Sequence, residues 1–330
     1  MVDVTSSARG CLVGLAVGDA LGQPTEGMTP NAVRARWGRI EGLLDPAAAV
    51  SDDTEFALFS ARVLLDHGGD PTSDDVADAW LQHVVPQTGP FRGAGFSEMA
   101  AIDNLRHGLR PPTSGRHHHA WSDGLAMRVA PYGIYAAGDP SEAARLTRVD
   151  GSVSHAGEGI HAGVAVAAAL ALAMTAGVEA LEDVLAEAPS HVPTDSWTAR
   201  ALRRGVAVGA AAADPWSAID PLHDDLAVRH FPWMDLGPEA VGLAWGLLAA
   251  GRGDFEATLL AAVNLGRDAD TVAAIAGAVL GALHGLPVVP EAWLGVLRPA
   301  EGLCLACVRG MELLDTADRL VALRASGAAA

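Results

Sequence analysis

This chain predicts an all-α fold, and three observations carry that reading. Ala-rich segments whose apolar residues recur at helical spacing cover most of its length. No run shows the apolar/polar alternation of a half-buried strand. The punctuation at Asp70–Pro71, Asp139–Pro140, Asp214–Pro215 and Gly237–Pro238 falls between helical segments rather than at a hairpin rhythm.

Taken in order, residues 5–20 form an apolar helix interrupted by Asp19. A helix over 51–67 starts on the cluster Ser51, Asp52, Asp53, Thr54, Glu55, and residues 73–86 follow the Asp70–Pro71 break. Gly93 and Gly95 lead into 95–108, and the loop from Pro111 to Trp121 with His117, His118 and His119 reads as solvated, because consecutive histidines cannot face one metal. Further helices are expected over 123–137, 141–149 and 154–176, the last with Ser154 as N-cap and His155 in its first turn or, equally, in contact with a ligand. The pattern continues over 179–188, 195–213, 237–250, 253–264, 270–285 and 302–325. No linker or repeat of 20–50 residues is visible, so one compact domain over 1–325 with a frayed tail at 326–330 is expected, not a solenoid.

Composition excludes several functions. Formal charge is 22 − 40 = −18 without a long basic run, so a phosphate backbone or an anionic membrane is not the expected partner. The longest apolar window, Gly163 to Val178, is shorter than the ~18 residues that mark a spanning helix. Three cysteines give no disulfide framework, and Cys304 and Cys307, despite their spacing, read as part of a buried helix. Without a basic leader, and with Asp19 breaking the first apolar stretch, the chain is expected to be cytoplasmic.

Two short acidic clusters hold the chemistry: Asp52 and Asp53 with Ser51, and Asp268 and Asp270 with Thr271, each leading straight into an apolar helix. Either alone reads as well as a helix cap, since carboxylates satisfy free N–H groups and complement the helix dipole. Brought together, four carboxylates would repel one another unless cations intervened, and two divalent ions supply the matching +4. An all-oxygen donor set suits Mg2+, with Mn2+ as a substitute, better than zinc.

These clusters belong to a longer series. Gly10, Gly14, Gly18, Asp19, Gly22 and Glu26, then Ser51–Thr54, then Met127, Arg128 and Pro131, then Ser154–His155, then Asn264 to Gly277 resemble, in order, the successive motifs of the ADP-ribosylglycohydrolase family. The resemblance spans residues 10 to about 285. It implies an orthogonal all-α bundle around a dinuclear magnesium cleft that hydrolyses the bond at the anomeric carbon of an ADP-ribosyl group. Ser51, Asp52 and Asp53 match the first metal-binding triplet, usually Thr-Asp-Asp, while Asp268, Asp270 and Thr271 match the second. Glu26 matches the glutamate that approaches the metals. Glu26, Asp53 and Asp270 are the catalytic candidates that follow, with Glu26 or a metal-bound Asp taking the proton of the attacking water.

Substrate contacts are expected at Gly93, Gly95, Met127, Ser154, His155 and Arg267. The chain departs from the family in carrying Arg267 where Gly is usual, and its guanidinium either binds a phosphate or carboxylate or pairs with the neighbouring aspartates. Three functions follow: release of ADP-ribose from a modified protein side chain, arginine by default; hydrolysis of a small ribosylated or nucleotide-like metabolite; or a non-catalytic, crystallin-like relative. Retention of all four aspartates speaks against the third.

Overall fold

The computed structural model describes residues 3–45, 48–229 and 234–327; the tail expected to fray lies outside the described residues from 328 on. The fold is all-α, as expected. Among the described residues there is no strand, only two isolated bridges, Met28 with Arg267 and Ser122 with Leu236.

The helices are α1 Val4–Gly22, α2 Pro30–Trp37, α3 Asp52–Asp66, α4 Ser73–His83, α5 Phe96–Arg106, α6 Ala130–Tyr135, α7 Pro140–Gly151, α8 Glu158–Ala173, α9 Leu181–Glu187, α10 Trp197–Ala211, α11 Pro215–Leu226, α12 Gly237–Gly251, α13 Phe255–Leu265, α14 Ala269–His284 and α15 Leu313–Gly327. The centre is built from α1, α8, α12 and α14, which are buried along most of their length; the more amphipathic helices wrap around them. None is long and apolar enough to cross a membrane.

Four expectations need correction. Helices α2 and α11 were not foreseen: α2 is a short surface helix that starts on Pro30 behind the Thr29 cap, and α11 contains Pro221, which reads as a breaker, yet Asp214 and Ser217 close a capping box at its start. The 123–137 helix is a 3-10 turn, Ala126–Arg128, followed by the short α6, because Pro131 starts a new helix. Ser154 and His155 precede α8, whose N-cap is Gly157. Residues 302–312 are not helical apart from the turn Ala306–Val308. The backbone N–H groups of Leu303, Cys304 and Leu305 all donate to the Glu55 carboxylate, so a side chain does what a helix would have done.

Glycine spacing sets the central contact. Gly10, Gly14, Gly18 and Gly22 lie on one face of α1 and meet Gly281, Gly277, Ala273 and Ala269 of the antiparallel α14, backbone against backbone. A Cβ on Gly18 would lie 2.2 Å from the Ala273 carbonyl oxygen. Gly18→Ala is therefore expected to push the helices apart, destabilising the protein by about 1–3 kcal/mol and lowering the midpoint in thermal denaturation. This contact carries Asp268 and Asp270, at the start of α14, to the end of α1 where Asp19 and Glu26 stand.

Candidate functional site

Both acidic clusters sit at helix N-termini, and the fold joins them. Thr271 Oγ1 donates to Asp53 Oδ1 at 3.0 Å across 218 residues of sequence. Asp52, Asp53, Asp268, Asp270 and Thr271 line the floor of one cleft of about 320 Å³, with Glu26 at its mouth.

Asp19, which was not among the candidates, positions the first cluster. It is fully buried and accepts from the backbone N–H groups of Ser51, at 2.9–3.0 Å, and of Thr54, at 3.2 Å, as well as from the Thr54 hydroxyl. It thus caps α3 from a different helix, which leaves the Asp52 and Asp53 carboxylates free to face the cleft. Its signal in the sequence was a lone Asp inside an apolar helix.

Burial, and then mutual charge, pushes the carboxyls of Asp52, Asp53, Asp268 and Asp270 well above the usual range. Glu26 is open to solvent by surface area yet ringed by protein, and partial desolvation followed by the charges of Asp19 and Asp235 raises it as well. Such a set is unstable as bare anions. The donors are all oxygen: four carboxylates and the Thr271 hydroxyl, together with Ser51, whose buried Oγ finds no partner of good hydrogen-bond geometry. No His or Cys lines the cleft among the described residues. Also among the described residues, no three His, Cys, Asp or Glu side chains stand close enough to hold an ion alone, so hydroxyl and water oxygens would have to complete any shell. That chemistry fits hard divalent cations and not zinc.

The remaining candidates divide. Gly93, Gly95 and Met127 line the cleft. Gly93, at φ +89°, packs on Asp52 so closely that a Cβ would lie 2.0 Å from Asp52 Oδ1. Gly95 caps α5, where the Phe96 N–H already bonds the carboxylate of Asp235.

Ser154 and His155 lie one layer back. The Arg128 guanidinium donates to Glu98 Oε1 at 2.8 Å, Asp150 Oδ2 at 3.0 Å, Ser154 Oγ at 2.8 Å and the Gly124 carbonyl at 3.0 Å. Ser154 Oγ meets His155 Nδ1, and His155 Nε2 meets Ser122 Oγ at 3.1 Å, which is on the cleft wall. Burial, with the Arg128 charge behind it, drives the His155 pKa well down, so the imidazole is neutral. These residues hold the wall rather than form its surface.

Arg267 pairs neither with the neighbouring aspartates nor with the cleft. Its guanidinium makes two bonds to buried Glu239 on α12, one to Oε2 at 2.9 Å. Its backbone, at φ +62°, donates to Met28 O at 2.7 Å and accepts from Gly27 N–H at 2.8 Å, tying the Glu26 loop to the start of α14. Arg267→Ala leaves the buried Glu239 without a counter-charge, with the Val228 N–H as its remaining donor; a loss of about 3–5 kcal/mol is expected, read by chemical denaturation.

Asp123 and Asp235, on facing turns that pair through the Ser122–Leu236 bridge, also line the cleft and were not foreseen. Neither sits in a cluster or at a recurrent spacing, so nothing in the sequence marked them.

The ADP-ribosylglycohydrolase family profile matches residues 1–329. A protein of Archaeoglobus fulgidus whose function is not characterised is 32% identical over 89% of this chain and 92% of its own length. The ADP-ribosylarginine hydrolase Tri1 of Pseudomonas putida is 27% identical over 87% of this chain and 73% of its own. A solved structure described as an ADP-ribosylglycohydrolase-related protein complex superposes with a TM-score of 0.68 and 26% identity, covering 97% of this chain and 99% of that one.

Proposed function

As this chain belongs to the ADP-ribosylglycohydrolase family, whose members are glycosidases of the ADP-ribosyl bond, we propose that its cleft is a magnesium-dependent site that releases ADP-ribose from a modified protein side chain, arginine by default. The observation that carries the reading is the Thr271–Asp53 hydrogen bond, which makes two distant acidic clusters the floor of one cleft. The relative named as an ADP-ribosylarginine hydrolase supports the choice of acceptor.

Ser51, Asp52, Asp53, Asp268, Asp270 and Thr271 would hold two Mg2+ ions, or Mn2+ in their place. When bound, the ions supply Lewis acidity, orient ribose hydroxyls and lower the pKa of water.

The protein's own groups do the rest. Glu26, at the cleft mouth, takes the proton of the attacking water, and its raised carboxyl brings it closer to neutrality than a free glutamate. Asp19 keeps the α3 carboxylates aimed inward. Phe96 and Met99, each 41% exposed, offer an apolar ledge for a flat base. At the α5 N-terminus a phosphate oxygen would replace the Asp235 carboxylate on the Phe96 N–H.

The test is release of free ADP-ribose from arginine-linked and serine-linked ADP-ribosyl peptides and from small ribosylated metabolites, with Mg2+ or with chelator. Mg2+-dependent release from a peptide is expected. Cleavage of the metabolites alone would move the substrate, and no metal-dependent release from any of them would sink the reading.

A further inference from the structure

Once the tasks above are assigned, one carboxylate of the cleft is left over. Seven line it, and neither Arg, Lys nor His joins them among the described residues. The chain contains no lysine anywhere. Arg128 and Arg267, near the lining in sequence, are both spent on buried ion pairs, and Arg92, which precedes Gly93, is exposed and not part of the lining. Two divalent ions balance four of the seven charges; Glu26 serves the water; Asp235 gives up the Phe96 N–H to the phosphate but is still faced by His119. Asp123 remains.

Its environment is unusual. The side chain is 3% exposed and lines the cleft, yet Oδ2 accepts no hydrogen bond. The Asp123 side chain shares a hydrogen bond with the Asp268 carboxyl, and its other charged neighbours, Asp235 and Asp53, are acidic too. The backbone fixes it there: the Asp123 N–H donates to the Asp235 carbonyl at 3.0 Å, and the next residue, Gly124, is pinned through its carbonyl by Arg128. A buried, rigidly mounted carboxylate oxygen with no donor is costly unless a ligand supplies one.

We propose that Asp123 is the acceptor-reading residue of the site and receives a guanidinium on the leaving side of the substrate. The inference rests on the function proposed above and narrows its acceptor. A guanidinium offers planar, parallel N–H donors that match a carboxylate, and it carries the positive charge that the cleft lacks. A hydroxyl acceptor, as in a serine linkage, brings no charge and gains little from Asp123. The diphosphate, being anionic, is kept on the other side, at the α5 N-terminus.

The experiment compares ADP-ribosyl-agmatine, an ADP-ribosylarginine peptide and an ADP-ribosylserine peptide with wild type and Asp123→Asn, alongside calorimetric titration of Mn2+ and inhibition by free agmatine. Wild type is expected to favour both guanidino substrates, and the faster of the two tells a free guanidine from a protein-borne one. In Asp123→Asn, kcat/KM on the guanidino substrates should fall about thirtyfold relative to the serine peptide. The agmatine inhibition constant should rise by a similar factor, while Mn2+ stoichiometry and affinity are retained. Equal losses on all three substrates, or loss of Mn2+ binding, would make Asp123 a metal ligand and overturn the proposal while leaving the glycosidase reading intact. If wild type cleaves none of the three, the glycosidase reading fails, and this one with it.

Discussion

Asp53→Ala and Asp270→Ala are expected to lower kcat/KM for release of ADP-ribose by about 10²–10³-fold or more, while the far-ultraviolet circular-dichroism spectrum stays helical. Both residues lie on the cleft floor, and Asp53 accepts the Thr271 hydrogen bond that joins its halves. Full activity in either variant would refute the metal assignment. Stability should move the other way in the absence of metal. The Asp53 and Asp270 carboxyls are raised well above their ordinary value, by burial first and then by neighbouring acids. Their contribution to stability is therefore complete below about pH 4 and is lost as pH rises through the raised values. Without metal, the gap in thermal midpoint between Asp270→Asn and wild type should widen in favour of the variant from about pH 4 toward neutrality. Millimolar Mg2+ should close or reverse it by stabilising only wild type. A pH-independent gap would mean that the acids do not repel.

The second large effect concerns Arg128. Its guanidinium is 1% exposed and bridges Glu98 and Asp150, which are equally buried. Arg128→Ala strands two carboxylates in the core, and a loss of about 3–5 kcal/mol is expected, a fall of roughly 4–7 °C in thermal midpoint. Arg128→Lys should rescue little, because an ammonium cannot reach Glu98, Asp150, Ser154 and the Gly124 carbonyl together. Removing the stranded charges in the triple variant Arg128→Met, Glu98→Gln, Asp150→Asn should cost less than Arg128→Ala alone. A triple variant that is worse would show that the network stabilises as a whole rather than through charge compensation.

The sequence shows most of the core helices because each buries an apolar face that leaves its period in the pattern. It hides α2, whose arginines carry no such period, and α11, whose internal Pro221 looks like a stop. The segment 302–312 misleads in the opposite sense. Cys304, Leu305 and Val308 are buried, but Glu55, almost 250 residues earlier, satisfies the N–H groups of Leu303, Cys304 and Leu305 without a helix. In the site, the two acidic clusters are readable because each packs several donors into a few residues. Asp123 and Asp235 are single residues whose meaning comes from the turn pairing at Ser122 and Leu236, which only the fold creates. Arg267 is conspicuous in the sequence, but Glu239, the partner that decides its role, is not.

Glu55 has a consequence for how the protein comes into being. It follows the first acidic cluster directly, and its buried carboxylate has its donors only once residues 303–305 arrive. The second cluster likewise waits for α14 to dock on α1. A ribosome must therefore deliver more than nine-tenths of the chain before the first half of the cleft has its full set of partners, and more than eight-tenths before the second has. Closure of such distant segments is slow compared with helix formation. During synthesis the start of α3 can meet its Asp19 cap early, whereas the cleft as a whole is completed late.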